Sequence, residues 1–160
     1  MTSWRFGVKC MIKHIKCDVL ESGADVILHQ VNCSGAMNSG VAKQVRQKWP
    51  WVYGQYMYAC RTATKERLLG CAQTVFINEK QAVVNLFAQK DYGYDGKCYT
   101  DYKALGEALS LVNKHFHGKT IAIPFKMSCC RGGGDWNVVY KMIEETFTDN
   151  DVLICEYDRG

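Results

Sequence analysis

"HQVNCSGAMNSGVAKQVRQKWP", residues 29–50, leaves an apolar strand, crosses a run of small residues and enters a basic helix with no polar linker. A plain connection needs only a few residues. Here Asn32, Ser34, Gly35, Asn38, Ser39 and Gly40 stand between strand and helix, a composition that lets another group approach the backbone. The strand itself, 25–32 (DVILHQVN), is β-branched and nearly continuously apolar, the pattern of a strand covered on both faces. In the helix, over 40–49, Val41, Val45 and Trp49 fall on one face.

The same grammar returns near the end of the chain. TIAIPF is followed by KMSCCRGGG and then by DWNVVYKMIEE. A glycine-bearing loop that feeds a helix N-terminus offers free N–H donors and a partial positive charge, which together cradle a phosphate. Two such loops suggest a diphosphate held between them, near the carboxyl ends of strands. Gly35 or Gly40 taken singly reads as an ordinary turn. The triplet Gly132-Gly133-Gly134 is the stronger signal, because each glycine weakens a fold unless its freedom is used. Common nucleotide signatures fail: Gly35 and Gly40 have P-loop spacing, but Val41 and Ala42 stand where Lys and Ser or Thr are required. No G-x-G-x-x-G opens a helix, which disfavours a dinucleotide-binding enzyme.

Working outward, further strands are expected at 11–16, 71–78, 82–89, 119–125 and 151–157, and helices at 51–61, 101–116 and 136–147. The short polar segment 78–81 predicts a hairpin between 71–78 and 82–89. Thr100 and Asp135 are the expected N-caps of the last two helices. The order β-β-α-α-β-β-α-β-α-β predicts a three-layer α/β/α domain around a central mixed sheet, occupying 11–160. Residues 1–10 precede a second methionine and are expected to be an extra N-terminal segment or strand.

A length of 160 residues suits one core, and 48% hydrophobic with 22% charged residues is a globular composition. The net charge of +4 helps attract an anion but is too small and too scattered to imply nucleic-acid binding. Nine cysteines, an odd number with no C-x-x-C, read as buried thiols of a reducing cytosol. His14 with Cys17, and His115 with His117, lack partners at zinc-site spacing, so no metal is expected. No signal peptide or membrane-length apolar run stands in the chain, and no membrane association is expected. His29 and Cys33 invite a Cys–His reading, but His29 lies in an apolar strand and is expected to be a hydrogen-bonded core histidine. The aromatic run Trp49, Trp51, Tyr53, Tyr56 and Tyr58 could stack nucleobases; burial of a second helix is the favoured reading.

These residues resemble the macrodomains, the ADP-ribose-binding family, over roughly 11–158. The first stretch is similar to the family's first ligand loop and helix. "NLFAQKDYGYDGKCYTDYKALGEAL" resembles its central strand and catalytic-loop region, and "IAIPFKMSCCRGGGDWNVVYKMIEETF" its diphosphate-binding loop and helix. The subgroup most resembled is the small ADP-ribosyl glycohydrolases and the ADP-ribose 1″-phosphate phosphatase-like proteins. The resemblance implies ADP-ribose, or ADP-ribosylated protein or nucleic acid, as partner, no cofactor and a monomer. Asp18, beside Val19, matches the acidic residue that accepts from the adenine amino group. Asn32, Gly40 and Val41 match the loop around the distal ribose, and His29, Gln30, Cys33, Asn38 and Ser39 beside them are expected ligand-binding residues. Ser128, Cys129, Cys130, Arg131, Gly132, Gly133 and Gly134 match the diphosphate loop, and Tyr157 stands where it could stack near the adenine. Lys90 matches the nucleophilic lysine of that subgroup. The family aspartate falls at Gly132; Asp135 is the nearest carboxylate and also reads as a helix cap. The alternative implied by that loss is a module that binds ADP-ribose without turnover.

Overall fold

β-branched and apolar residues dominate the middle of the sheet, where both faces are covered and no polar side is needed. The computed structural model describes residues 2–5 and 8–158, with side chains from Cys10 onward. The strands are β1 (Thr2–Arg5), β2 (Val8–Lys16), β3 (Val26–Asn32), β4 (Ala72–Phe76), β5 (Ala82–Gln89), β6 (Ile121–Pro124) and β7 (Val152–Glu156). The helices are α1 (Gly40–Lys48), α2 (Pro50–Thr62), α3 (Lys65–Leu68), α4 (Tyr102–His115) and α5 (Trp136–Thr146). The sheet order is β1-β2-β7-β6-β3-β5-β4. The run from β2 to β5 is parallel, while β1 and β4 pair antiparallel at the two edges. The expected hairpin between β4 and β5 is present.

Alternation along the strands sorts the two cores. Val26 and Leu28 of β3 and Val84, Leu86 and Ala88 of β5 pack with Leu105, Leu109, Val139 and Ile143 of α4 and α5. Ile27 and Val83 meet Val45 of α1, Val52 of α2 and Trp49 between the two helices, and Val31 and Phe87 meet Tyr56. Every residue of β5 is buried.

Four local expectations change. The strand expected from 11 begins at Val8, and its partner β1 lies in the segment read as 1–10; positions 1, 6 and 7 of that segment lie outside the described residues. Asp101, not Thr100, caps α4, accepting from the Ala104 amide at 3.0 Å. Thr100 is instead buried, with its hydroxyl donated to the Ser128 carbonyl. The single turn α3 has too few residues for a periodic signal. The aromatic run divides: Trp49 and Tyr56 are buried, whereas Trp51 and Tyr58 face outward.

Candidate functional site

The carboxyl ends of β6, β3 and β5 lie side by side, and a cavity of about 210 Å³ opens over them. Its walls come from the end of β3, the loop into α1, the end of β5 with Tyr92, Gly93 and Tyr94, and the loop from Phe125 to Gly132. Both glycine-bearing loops therefore meet at one opening, each ahead of a helix.

The first loop is shaped by Asn32. A bulge between Val31 and Asn32 shifts the β3–β5 register there. The Asn32 Oδ1 accepts from the amides of Ser34 (2.9 Å) and Ala36 (3.3 Å) and lies 2.7 Å from the Tyr56 hydroxyl; its Nδ2 donates to the Ala36 carbonyl at 2.9 Å. Tyr56 also receives the Gly35 amide at 3.1 Å. Asn32 thus folds the loop on itself. Gly40, at φ +59°, opens α1, and 39–41 line the cavity along with Asn38.

The second loop is held from below by side chains. Gln30 Nε2 donates to Gln89 Oε1 (2.8 Å) and Thr100 Oγ1 (2.9 Å), and the Ser128 hydroxyl donates to Gln30 Oε1. Ser128 sits at φ +75°, a conformation that costs a non-glycine residue free energy and is retained where surroundings fix it. The glycine triplet answers a different need from the one its sequence suggests. A Cβ on Gly132 would lie 2.4 Å from Thr100 Oγ1 and 2.6 Å from the Ser128 carbonyl oxygen. On Gly133, at φ +69°, it would lie 2.5 Å from the Lys97 carbonyl oxygen. The Gly132 carbonyl accepts from the amides of Tyr99 (2.7 Å) and Thr100 (2.9 Å). Gly132 and Gly133 let the segment 97–100 approach, rather than baring the loop to a ligand. The amides of 130–132, at the cavity rim, find no acceptor among the described residues. The Arg131 guanidinium lies 4.6 Å from the ring centre of Tyr94, bridging this loop to the segment after β5.

Of the residues expected at a site, His29, Gln30, Asn32, Asn38, Ser39, Gly40, Val41, Ser128, Cys130, Arg131 and Gly132 border the cavity. Others are placed differently. Asp18 caps a 3-10 turn, accepting from the Leu20 amide at 3.0 Å, and Val19 is buried in the core beneath α1. Tyr157 is 55% exposed on the stretch after β7. Cys129 and Cys33 are not in the wall, and burial pushes their thiols up to about 11 and about 12, against use as nucleophiles. Gly133 and Gly134 do not border the cavity. Asp135 caps α5, accepting from the Asn137 amide at 2.9 Å. Lys90 is half-exposed and pairs with Glu66 of α3 at 2.9 Å, beside a second pair between Lys65 and Asp91 at 2.5 Å. The hydrogen bond and charge of Glu66 raise the Lys90 pKa, the direction opposite to that of an amine readied for attack.

His29 is 1% exposed and bonds Asn85 at 2.5 Å, its register partner on β5; Asn85 in turn donates to Gln73 Oε1 on β4 at 3.0 Å. This is the core histidine that an apolar strand predicts. Tyr92, Gly93, Tyr94, Phe125 and Lys126 are wall residues beyond those the sequence singled out. The Tyr-Gly-Tyr pattern two residues beyond the end of a buried strand is the signal that marks the first three.

No protein-family model matches the chain. Two curated DNA ADP-ribosyl glycohydrolases, from Mycobacterium bovis and Mycobacterium tuberculosis, are 24% identical over 141 residues, 86% of this chain. The chain spans 39% of the length of those relatives. The macrodomain of Mycobacterium tuberculosis DarG superposes with a TM-score of 0.74 at 22% identity, covering 91% of this chain and 97% of that one. Thermosipho africanus DarTG, in complex with ADP-ribose, gives 0.72 at 20% identity, over 91% of this chain and 41% of its own. The seven strands in their order and these superpositions show that the chain has the macrodomain fold.

Proposed function

We propose that the cavity binds ADP-ribose and that the protein removes an ADP-ribosyl group from a macromolecular acceptor or from a 1″-phosphate. The observation that carries this reading is the rim formed by 130–132: three amides without acceptors among the described residues and the Arg131 side chain stand at an opening at the carboxyl ends of parallel strands. Such donors match a diphosphate. The resemblance to an ADP-ribose-bound structure and to DNA ADP-ribosyl glycohydrolases supports the choice of nucleotide and of reaction. Nine cysteines, with no disulfide among the described residues, accord with a reducing compartment.

In the hydrolase reading, the Lys90 amine attacks the anomeric carbon, the acceptor leaves with the bonding electron pair, and water then releases ADP-ribose. Lys90 must first leave Glu66 and lose a proton. A second reading, a binding module without turnover, is favoured by that ion pair and by the lack of room for a carboxylate at Gly132.

Calorimetry with ADP-ribose, against AMP as control, tests the site; tighter binding of ADP-ribose is expected, and no heat at millimolar ligand overturns the reading. Mass spectrometry of products from an ADP-ribosylated oligonucleotide, an ADP-ribosylated protein and ADP-ribose 1″-phosphate then separates hydrolase from binder. For a hydrolase, Lys90→Ala abolishes turnover. Glu66→Gln lowers the lysine pKa and moves the alkaline rise of the rate to lower pH.

A further inference from the structure

An arginine carries its N–H donors in one plane, so its use at an anion depends on what holds that plane. Arg131 stands in the cavity wall, on the loop into α5, and is exposed. Its guanidinium has no carboxylate partner and no hydrogen-bond acceptor among the described residues. The carboxylates of the facing segment, 91–99, are engaged elsewhere. Asp91 pairs with Lys65 at 2.5 Å and accepts from the Ser34 hydroxyl at 2.9 Å. Asp95 accepts from the Tyr99 hydroxyl at 3.0 Å and from the Lys97 amide at 3.2 Å. Arg131 meets instead the ring of Tyr94, another wall residue, at 4.6 Å.

That partner has a chemical consequence. A carboxylate would cancel the charge of the guanidinium and repel a phosphate. A ring attracts the cation through its face and leaves the charge in place. The N–H edges of a guanidinium held in this way stay free to fork onto phosphate oxygens. Tyr94 is itself 63% exposed, and its hydroxyl makes no hydrogen bond among the described residues. Neither core packing nor its polar tip accounts for where the ring stands.

A closed circuit of contacts brings the two side chains together. The carbonyl of Gly132, next to Arg131, accepts the Tyr99 amide at 2.7 Å. The Tyr99 side chain reaches back to Asp95, next to Tyr94, and passes so close to Gly93 that no Cβ would fit there. The circuit runs from Arg131 through Gly132, Tyr99 and Asp95 to Tyr94, and across the ring to Arg131 again. One tyrosine therefore fixes the backbone on both sides of the mouth, and Tyr94 and Arg131 meet between them. An arginine restrained before the ligand arrives gives up less rotamer freedom on binding. We infer that Tyr94 is a positioning residue, which holds the Arg131 guanidinium at the mouth, charged and with free donors, for a phosphate of the bound nucleotide. The inference rests on the ADP-ribose reading of the cavity.

Calorimetric titration of ADP-ribose into the full chain tests it, with Tyr94→Leu, Tyr94→Phe, Arg131→Ala and the Tyr94→Leu, Arg131→Ala double variant alongside; far-UV circular dichroism certifies that each variant folds. Tyr94→Leu weakens binding by about three- to fivefold, the worth of an exposed cation–ring contact. Tyr94→Phe keeps the ring face and stays within about twofold of the native chain. Arg131→Ala weakens binding by about tenfold or more, as loss of a charge-assisted contact does. Adding Tyr94→Leu to Arg131→Ala costs nothing further, because the ring acts through the arginine. Binding by Tyr94→Leu as tight as native, failure of Tyr94→Phe to restore it, or an equal loss with and without Arg131 overturns the inference. The last of these results assigns Tyr94 a contact of its own with the ligand. No heat with the native chain removes the ADP-ribose reading and this inference with it; native heat undiminished in Tyr94→Leu removes this inference alone.

Discussion

His29 has one ring nitrogen bonded to Asn85 and the other, Nδ1, buried without a partner. Burial lowers its pKa from 6.5 to about 4, despite the opposing effect of the Asn85 hydrogen bond. The unfolded chain therefore takes up a proton as pH falls through 6.5, while the folded chain does not until about pH 4. Stability from this residue is present above pH 6.5 and drains away across that window. Denaturant unfolding at pH 7 and pH 4.5 measures it: the native chain loses roughly 2–3 kcal/mol more than His29→Gln does. At this scale the sequence speaks unevenly. A histidine inside VILHQVN announces its own burial, because its neighbours are apolar. The engagement of Lys90 by Glu66 is not announced, since the partner sits on a four-residue helix that leaves no periodic trace. Gln30 and Asn32 are likewise diverted, the one into a network with Gln89, Thr100 and Ser128, the other into its own loop.

Elements with long apolar patterns are legible: the hairpin of β4 and β5, the buried strand β3 and the amphipathic helices α4 and α5 all follow from spacing alone. The two loops are legible as a pair, because each joins a buried strand to a helix. The use of the second loop's glycines is not, because it depends on residues 97–100, some thirty positions earlier, whose approach no local rule encodes. This bears on the family aspartate. Gly132→Asp would place a Cβ against the Thr100 hydroxyl and against the Ser128 carbonyl of its own loop, a backbone group that cannot yield without unfolding that loop. The expected outcome is loss of stability, on the order of 2–4 kcal/mol, with no gain of turnover. Thermal unfolding and product assays of the variant check both halves of that statement.

Across the whole molecule, the cavity joins structure from both helical layers, since α1 and α5 each begin from a loop at its edge. A ligand there ties the layers together and binds only the folded chain. Saturation with ADP-ribose at a hundred times its Kd adds about 2.7 kcal/mol. For a chain of this length that raises Tm by roughly 5–10 °C, measurable by differential scanning fluorimetry. AMP, lacking the second phosphate and the distal ribose, raises it less at equal concentration.

The contact of Gly132 and Gly133 with Lys97, Tyr99 and Thr100 makes the segment after β5 and the loop before α5 one interlocked part. Neither half can be transplanted by itself. A chimera that imports a foreign 91–99 onto this triplet, or a bulkier loop beneath this 91–99, will jam at the seam. Grafts that carry both halves together inherit the shape of the mouth intact, so any redesign of what this protein admits has to treat two distant stretches of sequence as a single cassette.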